Sequence, residues 1–243
     1  MKQTQNNLEQ FCPVCTSSKC TRLKVHFYNL YKCSFCSHIF SSFPEKSCEG
    51  HRVKFLNAIR QREKHFLQSV TTKTYRDWRA GVEERKLKIS RPYINKNTSI
   101  LDCNIEDATF LKTIRDKVKT VSGLCRDQLF SSYWTDVSYL GKYIQDIPIE
   151  NKFDIILLVD SFEFCYGLYE NMIECFRFLN PGGHILIDVP INNNPVKNYQ
   201  ARYHEFSTKS SLRFTETIKN SKITYHNDIN NRFASIVVQS SQK

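Results

Sequence analysis

From Ser99 onward, short apolar runs alternate with amphipathic stretches. Ser99 to Cys103 reads as a buried strand, Asp107 to Lys117 as a helix and Lys119 to Leu124 as a second strand; after a loop-rich stretch, "FDIILLV" (Phe153 to Val159) reads as a third. A helix is predicted over Cys165 to Leu179, because Leu168, Met172, Ile173, Phe176 and Leu179 fall on one face. Pro181 cannot continue that helix, and Gly182 with Gly183 permits a tight reversal before a strand over His184 to Val189. A last helix, Thr208 to Lys219 capped by Ser207, precedes two strands in "KITYHNDINNRFASIVVQ" that flank an Asn/Asp turn. Strands as nearly continuously apolar as "FDIILLV" are expected to be covered by helices on both faces. The expected fold class is therefore α/β: a doubly wound, mostly parallel sheet whose final hairpin adds an antiparallel strand.

The front of the chain follows a different pattern. "CPVC" and "CSFC" place Cys12, Cys15, Cys33 and Cys36 as two C-x2-C knuckles separated by seventeen residues, the spacing of a tetrahedral zinc site. Four protein ligands leave no open coordination position, so the expected Zn2+ is structural and organises a module too small to fold on its own apolar content. Cys20, Cys48 and His38 are nearby substitutes, whereas Cys103, Cys125, Cys165 and Cys175 have no ligand spacing and read as small core residues. Between Cys48 and Tyr93 the pattern is helical and polar, with Phe55, Ile59, Phe66 and Val70 on one stripe and Trp78, Val82 and Leu87 on a second. The resulting organisation is a zinc-ribbon module at 1–47, a helical bridge at 48–97 and a Rossmann-like domain at 98–243.

Composition changes this picture in two ways. Up to Asn97 there are 19 Lys and Arg against 7 Asp and Glu, while the remainder carries 16 against 17, so the net charge of +11 belongs to the front. Clustered cations favour phosphates, which keeps nucleic acid open as a partner. The same charges are interleaved with acids and apolar positions at helical spacing, which favours ordinary helices with solvated basic faces. No apolar stretch suits a signal peptide and none reaches the roughly 18 residues of a membrane span. A cytoplasmic protein with reduced thiols and no membrane partner is expected.

In a doubly wound sheet, ligands lie outside the carboxyl ends of the strands near the switch in strand order. That rule selects Asp102 to Ala108, the stretch after Leu124, Asp160 to Phe164, and Pro190 to Asn194. Each is also compatible with a helix cap or a plain turn.

Taken together, "CPVC…CSFC", "ILDCNIEDATFL", "FDIILLVDSFEF", "FRFLNPGGHILIDVP" and "YHEFSTKSSL" resemble the class I S-adenosylmethionine-dependent methyltransferases, in particular the branch with an N-terminal four-cysteine zinc module. The resemblance covers nearly the whole chain and implies a seven-stranded sheet with S-adenosyl-L-methionine as cofactor. The family's turn after the first strand is D-x-G-x-G-x-G, and here Asn104, Glu106 and Ala108 replace its three glycines. Its ribose-binding acid after the second strand corresponds to Cys125, with Asp127 two residues on. Asp160 and Glu163 keep part of a D-x-x-E-H run, with Phe164 in place of histidine; where relatives show H-x-x-H-F, the chain has Arg202, Glu205 and Phe206, with His204 in between.

The resemblance places the cofactor on Asp102, Asn104, Glu106, Cys125 and Asp160, with Asp146 near the adenine. His204 is the candidate catalytic base; its alternative reading is a loop histidine without a role. A small-molecule or sugar-like acceptor is implied, with Gln128 to Tyr143 and Asn192 to Tyr203 as the variable segments around it. Tyr133, Trp134, Tyr139 and Tyr203 suit a sugar or a planar ring. The alternatives are a catalytically silent binding or scaffold protein, which the missing glycines favour, and a zinc-ribbon nucleic-acid binder, which the basic front favours.

Overall fold

A computed structural model describes residues 10–25, 28–41, 73–125, 134–165, 167–192, 203–219, 221–227 and 232–241. The expected stripe of Phe55, Ile59, Phe66 and Val70 lies outside the described residues, as do Cys48, Asp127, Tyr133 and Arg202. Among the described residues, no helix is long and apolar enough to cross a membrane.

The main sheet has seven strands: β4 (Ser99–Asp102), β5 (Thr120–Leu124), β6 (Ser138–Gly141), β7 (Phe153–Val159), β8 (Leu179–Pro190), β10 (Ser221–Asn227) and β11 (Phe233–Ser240). Their order is β10-β11-β8-β7-β4-β5-β6. All neighbours are parallel except β11, which runs antiparallel to both β8 and β10. The chain runs outward from β4 to β6 and then returns to place β7 on the other side of β4, so the switch point lies between β4 and β7. β7 has the expected bounds: Ile155 to Val159 are all buried, as in a strand covered on both faces.

Among the described residues, four α-helices pack around this sheet: α1 (Lys73–Ser90), α2 (Thr109–Ile114), α3 (Leu168–Phe178) and α4 (Thr208–Thr217). The expected cap of α4 is present, with the Ser207 hydroxyl accepting from the Ser210 amide. Two expectations are corrected. The buried face of α3 is Leu168, Met172, Cys175 and Phe178, whereas Ile173 is 60% exposed; the helix begins three residues later than expected. "NPGG" is not a reversal. The chain enters β8 at Leu179, directly from the helix, and the segment is a bulge between the Phe153–Leu179 and Ile155–His184 pairs. Gly183 is required there, since a Cβ would stand 2.9 Å from the Asn180 carbonyl oxygen and 3.0 Å from that of Asp154.

A second sheet orders β1 (Cys20–Val25), β2 (Tyr28–Cys33), β3 (Ile39–Ser41) and β9 (His204–Glu205). The first three strands belong to the cysteine module, and β9 comes from the segment between β8 and α4. Ile39 pairs with Glu205 and Phe40 with His204. Cys12, Val14, Cys33, Cys36 and Phe40 share one apolar cluster with Phe162, Phe206 and Phe214 of the main domain. Burial of this kind contributes about 1.5–3 kcal/mol per large side chain. The cysteine module is thus welded to the main domain by backbone pairing and a common core.

Candidate cofactor site

The turn from Asp102 to Ala108 lies at the switch point. Its backbone is stitched to the strands on either side, with the Cys103 amide donating to the Leu157 carbonyl at 3.0 Å and the Ile105 amide to the Leu124 carbonyl at 3.1 Å. Ile105 packs so closely on β5 that a Cβ on Gly123 would fall 1.9 Å from its Cγ2. Glu106 (φ 42°) and Ala108 (φ 61°) both adopt the left-handed conformation, as does Asp160 (φ 53°) at the end of β7. Two of the three positions that lost glycine therefore keep a backbone glycine adopts freely, at a cost of about 1–2 kcal/mol each for an L-residue.

Side chains hold this turn in place. The Lys86 ammonium, fully buried, donates to Asp102 Oδ2 at 2.7 Å and to the Asn104 carbonyl at 2.8 Å. Arg79 donates to the Ile105 carbonyl at 3.4 Å, and the Trp134 indole N–H donates to the Glu106 carbonyl. Three consecutive carbonyls are thus each held by a different side chain. The other Asp102 oxygen accepts from the Asn104 amide at 3.0 Å. The Asn104 side-chain amide bridges the two strand ends, donating to Glu106 Oε1 at 3.3 Å and to the Asp160 carbonyl at 3.1 Å.

Three carboxylates surround the one guanidinium of Arg79: Glu83 at 2.6 Å, Asp107 at 3.1 Å and Glu106 at 3.2 Å. Glu106 Oε2 is buried without a hydrogen-bond partner. Burial pushes the Glu106 and Glu83 carboxyls up, against the pull of Arg79 and Lys86. For Asp107, burial is outweighed by Arg79 and the Thr109 amide, and its carboxyl is held down.

Asp102, Asn104, Glu106 and Asp160 are therefore brought together. Cys125 closes β5, buried, its amide donating to the Gly141 carbonyl at 3.1 Å. Asp146 is exposed and accepts from the Lys142 and Tyr143 amides, both at 2.8 Å, within the turn after β6. His204 is seated on the cysteine module: its Nδ1 lies 3.1 Å from Nε2 of the fully buried His38, and the rings stack at 5.3 Å. His38 is thus paired with His204 rather than standing in as a ligand.

Helical spacing and charge place Arg79, Glu83 and Lys86 on a solvated face. Instead the buried face of α1 is Arg79, Val82, Glu83, Lys86 and Ser90. The helical spacing of 79, 83, 86 and 90 was the available signal. Trp134, expected beside the acceptor, is 8% exposed, stacks on Tyr139 at 4.7 Å and supports the turn.

The four expected metal-binding cysteines converge, their Sγ atoms all within 4.8 Å of one another. Cys12 and Cys36 are 3.5 Å apart, and Cys15 and Cys33 are 3.6 Å apart. A tetrahedral ion with bonds of about 2.3 Å requires sulfur separations of about 3.8 Å, so the cluster fits zinc. Each knuckle closes through a left-handed residue, Thr16 or Ser37. Without a cation the thiols cannot all ionise: the Cys12 thiol pulls Cys36 down to about 5, while burial pushes Cys15 up to about 11.

With this geometry in view, comparisons with known proteins give a consistent result. Residues 98–187 match the family model described as a methyltransferase domain. No curated protein is matched. Among solved structures, a Burkholderia thailandensis 1,6-didemethyltoxoflavin-N1-methyltransferase, with its substrate and S-adenosylhomocysteine bound, is similar over 84% of this chain and 96% of its own, at 11% identity and a TM-score of 0.59. A chain from the complex of the Haloferax volcanii Trm112 methyltransferase activator with a putative methyltransferase is similar over 66% of this chain and 92% of its own, at 14% identity and a TM-score of 0.52. A possible histamine N-methyltransferase from Thermotoga maritima is similar over 72% and 98%, at 13% identity and a TM-score of 0.52. The chain has the fold of S-adenosylmethionine-dependent methyltransferases, and the match to the methyltransferase-domain model spans residues 98–187.

Proposed function

We propose that this protein is an S-adenosylmethionine-dependent methyltransferase acting on a small-molecule or sugar-like acceptor, with a structural zinc ion on Cys12, Cys15, Cys33 and Cys36. One observation carries the reading: the turn at the switch point keeps left-handed backbone at positions 106 and 108 without glycine, held by Lys86, Arg79 and Trp134. A cofactor turn that had lost its role would have no reason to retain that conformation at this energetic cost.

Bound at this turn, S-adenosylmethionine supplies a methyl group activated by a sulfonium. Asn104 and Asp160 meet it from the two strand ends, and Glu106 offers a carboxylate to its positive groups. Cys125 stands where the ribose contact is expected, and its thiol makes only a weak hydrogen bond. Asp102 acts through the turn, because both of its oxygens are engaged by Lys86 and Asn104. Asp146 fixes the neighbouring turn after β6 on the adenine side. Methyl transfer needs mainly in-line positioning, with a base only where the acceptor loses a proton. His204 is assigned that proton. Its Nδ1 shares one proton with His38, so the protonation of its other ring nitrogen depends on which ring holds the shared one.

Calorimetric titration with S-adenosylmethionine and S-adenosylhomocysteine tests this reading. Saturable binding of the methyl donor in the micromolar range supports it. No heat with either compound at high micromolar concentration would sink it.

A further inference from the structure

Among the described residues, the turn carries more acidic side chains than cations in contact with them. Among the described residues, Lys86 pairs with Asp102, both fully buried, and Arg79 is the cation in contact with Glu83, Glu106 and Asp107. Asp160 stands at the end of β7, its main-chain carbonyl linked to the Glu106 carboxylate through the side-chain amide of Asn104. Within the Arg79 group, Glu106 differs from Glu83 and Asp107 in its backbone. It occupies a left-handed position that disfavours any side chain, and one of its oxygens is buried without a hydrogen bond although Arg79 lies 3.2 Å away. A residue without a role there would be replaced by glycine at a gain in stability.

We infer that Glu106 reads the positive charge of the ligand, so that the site holds a sulfonium more tightly than the neutral thioether left after methyl transfer. The inference rests on the turn being the S-adenosylmethionine site. The two ligands share the ammonium, carboxylate, ribose and adenine, so contacts to those groups largely cancel in the ratio of affinities. The difference is the methyl group and one unit of charge. A unit charge within about 6 Å of a carboxylate, at an effective dielectric constant of about 40, changes binding about tenfold. The surplus of acids gives this difference its sign: product is released readily, and fresh methyl donor displaces it.

The test is calorimetric titration of the full chain, wild type and Glu106→Gln, with three probes: S-adenosylmethionine, S-adenosylhomocysteine and sinefungin. Sinefungin bears an amine cation in place of the methylated sulfur, and so separates charge from the methyl group. The wild type is expected to bind both cationic probes about tenfold more tightly than S-adenosylhomocysteine. In Glu106→Gln that ratio should fall toward one. Equal or tighter wild-type binding of S-adenosylhomocysteine overturns the inference alone, leaving the cofactor site intact, and this outcome does not depend on whether the variant folds. A ratio unchanged in a folded variant also overturns it. Absence of binding by all three probes overturns the inference and the proposed function together.

Discussion

Replacing Lys86 with methionine removes a cation that the fold has buried completely. The ammonium is 0% exposed and its partner Asp102 1% exposed, with 2.7 Å between nitrogen and oxygen. Methionine nearly preserves the length of the side chain, so little cavity forms and the main effect is electrostatic. Asp102 is left as a buried carboxylate without a counter-charge, and the Asn104 carbonyl loses its donor. Breaking a buried pair from one side costs about 3–5 kcal/mol. At about 2–4 °C per kcal/mol for a chain of this size, the melting temperature should fall by about 6–20 °C. Urea unfolding of zinc-loaded protein, followed by far-UV circular dichroism, measures the loss. The double variant Lys86→Met/Asp102→Asn, which removes both charges, should recover about 2 kcal/mol or more. The reasoning is refuted if Lys86→Met lies within about 1 kcal/mol of wild type, or if the double variant is no more stable than the single one.

Other consequences follow from the same geometry. Ala108→Gly removes the side chain from a residue at φ 61° and should stabilise the protein by about 0.5–1 kcal/mol; a loss of stability on thermal unfolding would show that the turn does not adopt this conformation. Purified protein should contain one zinc per chain by elemental analysis, and Cys36→Ser should lose it together with part of the thermal stability, because β3 and β9 share a sheet. Zinc retained in full by that variant would remove the four-cysteine site. Glu106→Gln carries a pH signature. Burial raises the folded-state carboxyl above 4.5, so the glutamate favours folding most when protonated, and that benefit is lost as pH rises through its folded value. The melting temperature of the variant relative to wild type should therefore increase from pH 4.5 upward; a difference that shrinks over the same range would reverse the assigned sign.

The sequence made some of this structure legible and hid the rest for identifiable reasons. Phe153–Val159 is readable because a run that is apolar except for Asp154 ends sharply at Lys152 and Asp160, and Ser207 is readable as a cap because a hydroxyl there satisfies the Ser210 amide. The four cysteines were legible from spacing alone, since each knuckle is local. Periodicity assigns the charged residues of α1 to solvent, whereas Arg79 and Lys86 are buried against carboxylates and carbonyls supplied by the turn at 102–107, and Glu83 is buried with Arg79. Those partners lie 16 to 28 residues away and have no helical relation to α1. Strand β9 was hidden as well: two residues carry no periodicity, and His204–Glu205 becomes a strand only because β3 lies beside it. At the turn, the sequence showed missing glycines but not that Glu106 and Ala108 keep the left-handed backbone, because the side chains that hold the 104–106 carbonyls, Lys86, Arg79 and Trp134, are distant in sequence.

Hydrogen–deuterium exchange with and without saturating S-adenosylmethionine tests the central claim, that the glycine-less turn is the cofactor site. Binding at the switch point predicts slowed exchange in peptides covering 102–108 and 160–164, with little change in the cysteine module. Binding accompanied by protection elsewhere, and none at 102–108, would contradict it.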